Sequence, residues 1–123
     1  MAIDILYQAD VMGRSPPEIL QDWQASGRSV PEYTEKLVSG VAESMEDFDQ
    51  LLAQHAEGWA VHRMAVVDRT ILRVACYEFR LGLPAPVAIN EAVEAAKELS
   101  TEDSGRFING VLGRIARELE TSQ

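Results

Sequence analysis

Apolar residues recur every three or four positions along almost the whole chain, and strict apolar-polar alternation is absent, so the pattern predicts helices and no strands. Ala2 to Met12 forms the first helix, closed by Gly13, a residue that takes the left-handed C-terminal conformation without steric cost. Ser15-Pro16-Pro17-Glu18 restarts the chain. The serine caps, proline fixes φ in the first turn, and glutamate three residues on completes a capping box. Ile19, Leu20 and Trp23 give this second helix one apolar side, and Gly27 ends it.

Ser29-Val30-Pro31-Glu32 repeats the device and opens the longest periodic segment, in which Tyr33, Leu37, Val41, Met45, Phe48, Leu52 and His55 form one stripe facing a core. Gly40 interrupts it at a cost of up to about 1 kcal/mol relative to alanine, which implies either close packing or a bend. Glu57 to Arg63 reads as a short helical link that buries Trp59.

From Ala65 to Leu83 apolar residues wrap most of the circumference, so this helix is expected at the centre. Its exceptions Arg69, Arg73 and Arg80 lie near one line, with Asp68 and Glu78 beside it. Such a line is either a solvated stripe with ion pairs worth about 0.3–0.5 kcal/mol each, or a docking face. Gly82, Pro84 and Pro86 end the segment, and Val87 to Leu99 form the next helix, with alanines that allow close approach. Ser100-Thr101-Glu102-Asp103 looks like a capped start with acids in its first turn. Ile108, Val111, Leu112, Ile115 and Leu119 make the buried stripe of the last helix. Asn109-Gly110 falls inside it, with Gly110 expected as a close-packing site and the Asn109 amide bonded to a neighbouring loop.

The 123 residues, 46% hydrophobic, fit one domain spanning 1–123, with an N-terminal helical group over about 1–62 and a C-terminal group over about 63–123. The lone cysteine, Cys76, has no partner for an internal disulfide, and His55 and His62 make no zinc constellation. A reducing cytoplasm is the expected location. No apolar run approaches the roughly 20 residues that span a bilayer, and there is no signal-peptide pattern.

Charge runs against generic nucleic-acid binding, because the formal net is −9. The excess is uneven. Through His62, eleven acids face only Arg14, Arg28 and Lys36; from Arg63 onward nine acids face eight bases.

Four ordered blocks carry a family resemblance: Leu6-Tyr7; Val67-Asp68-Arg69-Thr70-Ile71-Leu72-Arg73 with Tyr77-Glu78; Val87-Ala88-Ile89-Asn90-Glu91-Ala92; and Leu99 to Ser104 followed by Phe107-Ile108-Asn109-Gly110-Val111-Leu112. Together they resemble the NusB family of transcription antitermination factors over nearly the whole chain. The resemblance implies an all-α bundle of two packed three-helix groups. It also implies a function: with NusE, a small-subunit ribosomal protein, such a factor binds the boxA element of nascent ribosomal RNA and helps RNA polymerase pass terminators. Family members usually begin with an arginine-rich leader before the Leu-Tyr pair, whereas Met1 to Ile5 precede it here. With fewer arginines to neutralise phosphates, the electrostatic share of RNA affinity falls.

Carried over residue by residue, the resemblance places Tyr7, Asp103, Arg106 and Phe107 on or near the RNA side and Asp68, Arg69 and Glu78 near the NusE face. The residues themselves leave alternatives. Phe107 is one position off the buried line, so it either stacks a base, worth about 1–3 kcal/mol, or packs between the two groups. Asp103 either caps its helix or accepts hydrogen bonds from base amino groups. Arg106 suits a phosphate contact, as does Ser104 through its hydroxyl or the helix N-terminus. Tyr7 either packs beneath the first helix or faces RNA.

Enzymatic chemistry finds no support: there is no glycine-rich phosphate loop, no nucleophile elbow and no pattern marking a histidine as a catalytic base. No cofactor is implied. Other readings are a protein-interaction adaptor with weak or no RNA binding, a module that self-associates and hides its RNA face in a homodimer, and the NusB-like accessory domain of a ribosomal RNA cytosine methyltransferase. The last requires a longer gene downstream.

Overall fold

The computed structural model describes residues 1–56 and 58–121, with the Thr121 side chain excepted. Six helices follow one another: α1 (Ala2–Met12), α2 (Pro16–Ala25), α3 (Glu32–His55), α4 (Val66–Arg80), α5 (Ala85–Leu99) and α6 (Glu102–Thr121), with a single 3-10 turn at Val61–Arg63 between α3 and α4. The described residues form no strand. The first three helices make one group and the last three a second, the arrangement the sequence implies. Within it, α4 packs against α1, α3, α5 and α6.

Local chemistry explains the boundaries. Gly13 closes α1 at φ 66°, and Ser15 caps α2 by accepting a hydrogen bond from Glu18 N while its hydroxyl donates to Glu18 Oε1 at 3.0 Å. The second expected capping box does not form: α3 starts after Pro31 without a side-chain cap. Proline at that position already holds the extended backbone that precedes a helix.

Gly40 and the bend of α3 are separate features. A Cβ at Gly40 would fall 2.1 Å from Cζ of Tyr77, so the glycine is there to admit the α4 ring. The break in helical geometry comes four residues later, at Ser44 (φ −115°, ψ 18°). Ile5, Ile19, Val38, Leu52, Ile71, Leu72, Ile108, Leu112 and Ile115 are fully buried in one continuous core that draws on both groups. Leu119 departs from its expected place, lying exposed near the end of α6. Gly110 is no close-packing site, since a Cβ there would meet only Arg114 of its own helix, at 3.5 Å. Asn109 is exposed, and its amide has no hydrogen bond among the described residues.

Candidate nucleic-acid and partner interface

The N-terminus of α6 is built from hydroxyls. Thr101 Oγ1 accepts a hydrogen bond from Ser104 N at 3.0 Å, so Thr101 supplies the cap and Asp103 is released from that role. Asp103 projects into solvent and pairs with Arg106, also exposed, at 2.8 Å. An exposed pair of this kind is weak, and both members are free to exchange partners. Ser104 is half-buried and faces inward: its hydroxyl lies 2.9 Å from Ser100 Oγ and donates to Asp68 Oδ2 at 3.1 Å. One turn further on, Phe107 is half-buried at the edge of the core and meets Trp59 in an edge-to-face pair, ring centroids 6.2 Å apart. Asp103, Ser104, Arg106 and Phe107 therefore lie together at the N-terminal end of α6, with Ser104 as their support.

Tyr7 belongs to a different neighbourhood. It is exposed on α1, over a shallow depression lined also by Asp4, Gln8, Val11, Met12 and Trp23. Trp23 is fixed there by a hydrogen bond from Nε1 to Gln8 Oε1 at 2.9 Å, and Arg28 lies over its ring at 4.2 Å.

The residues expected on the partner face point to three different places. Successive α-helical residues are about 100° apart, so Asp68, Arg69 and Glu78 leave α4 in different directions. Asp68 is 9% exposed and turned toward α6. Arg69 reaches α1, where its Nε and Nη2 grip Asp10 at 2.8 and 2.6 Å, and its Nη1 also donates to the His62 carbonyl at 3.3 Å. Glu78 is 4% exposed and accepts a 2.7 Å hydrogen bond from the Tyr33 hydroxyl of α3. Asp68 and Glu78 thus have little surface to offer a partner directly. At Glu78 the accessible groups are Tyr33 and Glu91, which rim a cavity of about 270 Å³ whose walls include Ile3, Ile71 and Val74.

The arginine line of α4 is neither a solvated stripe nor a free docking face. Arg73 is buried and holds Asp49 through two hydrogen bonds of 2.8 Å, with a longer one of 3.3 Å to Asp10. Asp10 and Asp49 come from α1 and α3, so the charges cross-link the first group to the central helix. The Arg69 guanidinium holds the Asp10 carboxyl below its usual range, and Asp10 raises Arg69 in return. Arg80 donates to Ser44 Oγ at 2.8 Å, beside the break in α3, and stacks over Phe48. Burial pushes Glu78 above the ordinary carboxylate range, with the neighbouring Glu91 adding to the shift and Tyr33 opposing it; burial and Glu78 together take Tyr33 up to about 12. Burial likewise raises the Cys76 thiol to about 12, which leaves it unreactive.

Two aromatic positions differ from the sequence-based expectation. Trp59, expected in the core, is 54% exposed and follows Gly58, which has a left-handed backbone (φ 77°). Glu57, where the expected link begins, lies outside the described residues. Tyr33, expected on the buried stripe of α3, is exposed at the helix start. At the other end of α3, His55 is held by Glu118 at 2.6 Å, and its carbonyl accepts two hydrogen bonds from Arg114 of α6.

No group of three or more histidine, cysteine or acidic residues is arranged to hold a metal among the described residues, and no described helix is long and apolar enough to cross a membrane. A six-helix bundle with polar and aromatic groups displayed on helix ends defines a docking factor that works through its surface. The NusB family model matches residues 1–117. The chain is 48% identical over 120 residues to the transcription antitermination protein NusB of Saccharopolyspora erythraea, an alignment covering 94% of this chain and 81% of that protein. It is 46% identical over 121 residues to that of Salinispora tropica, covering 94% and 89%. T. maritima NusB superposes with a TM-score of 0.83 at 34% identity, over 95% of this chain and 86% of that one. A structure of the antitermination factors NusB and NusE with double-stranded RNA gives 0.83 at 27%, over 95% and 91%. The chain belongs to the NusB family, a family of non-enzymatic transcription antitermination factors.

Proposed function

We propose that this chain acts as an antitermination scaffold in the cytoplasm: with NusE it binds boxA RNA in nascent ribosomal transcripts and helps RNA polymerase pass terminators. The observation that carries this is the N-terminal end of α6, where Asp103, Arg106 and Phe107 present a carboxylate, a guanidinium and an aromatic edge over a base held by Ser104 and Asp68. Those groups suit base edges, phosphate and stacking in turn. The superposition on a NusB bound to NusE and RNA supports the same assignment. Tyr7, exposed on α1, adds a second aromatic contact to the RNA side.

On the partner side, Glu78 acts through Tyr33, whose hydroxyl it fixes at the rim of the cavity near Glu91. Arg69 holds the 3-10 turn and α1 in place for both surfaces. Asp68 is a support within the fold rather than a partner contact.

Terminator read-through in a reconstituted transcription reaction tests the function. On a template carrying boxA, adding this chain to polymerase and NusE raises the read-through fraction, and deleting boxA abolishes the gain. Equal read-through with and without the chain contradicts the proposal.

A further inference from the structure

We propose that Trp59 is a further RNA-contact residue, a stacking platform beside Phe107 that receives an unpaired base; this rests on the RNA-binding function proposed above. Trp59 is a large aromatic more than half exposed, and its ring partner is Phe107 of the α6 turn. The indole therefore extends the aromatic surface of that turn across the α3-α4 link.

Hydrogen bonds hold the described part of the link. Trp59 N donates to the Ala56 carbonyl at 3.0 Å, Met64 N to Val61 at 3.1 Å, and Arg69 Nη1 to His62 at 3.3 Å. A platform held this way loses little further freedom when a base lands on it, which favours binding. Charge favours the same occupant. Four residues on, Arg63 is exposed and has no ion-pair partner among the described residues, and His62 beside it is exposed as well. An exposed indole with an exposed arginine four residues along the same link suits a nucleotide, base on the ring and phosphate near the cation.

Fluorescence anisotropy of a labelled boxA oligonucleotide, titrated with parent, Trp59→Ala and Trp59→Phe chains in the presence of NusE, tests the assignment. Trp59→Ala weakens binding about 10- to 100-fold, the range expected for one stacked base, and Trp59→Phe restores most of the loss. In a Trp23→Phe background, RNA quenches the emission of the remaining Trp59. Unchanged affinity in Trp59→Ala, with the parent binding, overturns the platform and leaves the RNA function standing. Weakened affinity without quenching assigns the effect to a displaced Phe107 and also overturns it. A parent chain that binds no RNA overturns both.

Discussion

The Ser104 hydroxyl donates to Asp68 Oδ2 at 3.1 Å and so joins the first turn of α6 to the first turn of α4. Among the described residues the Asp68 carboxylate receives one hydrogen bond, from Ser104, and its Oδ1 has no partner. The carboxylate lies in the first turn of α4, next to the first turn of α6, and helix N-termini favour negative charge. Ser104 is thus the fastener between the turn that displays Phe107 and the central helix.

Ser104→Ala removes the donor and leaves a buried carboxylate unsatisfied, a loss of about 1–3 kcal/mol. Urea unfolding is expected to show that loss, and RNA affinity is expected to fall even though the direct contacts of Asp103, Arg106 and Phe107 remain. A variant as stable as the parent would mean that Asp68 finds another donor.

Arg73→Ala is expected to be the most damaging single change in the charge network. It strips Asp49 of a two-pronged partner and weakens the hold on Asp10. Breaking this partly buried pair from one side costs less than the roughly 3–5 kcal/mol of a fully buried one, and Arg73→Lys recovers only part, since an ammonium lacks the planar fork. Denaturant midpoints of the three chains check the order.

Gly40→Ala is expected to lose about 1–3 kcal/mol through overpacking against Tyr77. The same substitution made in a Tyr77→Ala chain should cost far less, because the obstructing ring is gone. A double-mutant cycle reads this as strong non-additivity; additive costs would place the strain elsewhere.

Two carboxylates respond to pH with opposite sign. Asp10 is depressed in the folded state, so its contribution is complete above its ordinary value of 3.8 and disappears as pH falls through the lower folded value. Glu78 is raised, so its contribution is complete below its ordinary value of 4.5 and is lost as pH rises through the higher folded value. Glu78→Gln keeps an acceptor for Tyr33 and removes the buried charge, so at neutral pH it is expected to melt higher than the parent. The difference closes as the pH is lowered below 4.5. A neutral-pH melting temperature below the parent's would contradict the assigned shift.

Features governed by local rules were legible in the sequence. Gly13, the Ser15-Glu18 box and the buried series Ile108, Val111, Leu112 and Ile115 all stand where spacing puts them. The misplacement of the α4 arginines has a long-range cause. Arg73 reads as a surface charge until folding brings Asp10 and Asp49 to it from 63 and 24 residues away. Trp59 reads as core by composition, yet it lies exposed beside the left-handed Gly58. In the candidate site, helical spacing alone brings Asp103, Ser104, Arg106 and Phe107 close together, while their assignment to an RNA side comes from the family resemblance. Asp68, Arg69 and Glu78 could not be resolved, because each is assigned by a partner on a different helix.

Anisotropy of a labelled boxA RNA titrated with this chain, with and without NusE and at two salt concentrations, addresses the scaffold function most directly. Sequence-selective binding that NusE tightens, and that Phe107→Ala weakens without a large fall in melting temperature, is the expected result. Absence of binding with NusE present, or equal affinity for a scrambled RNA, would contradict it.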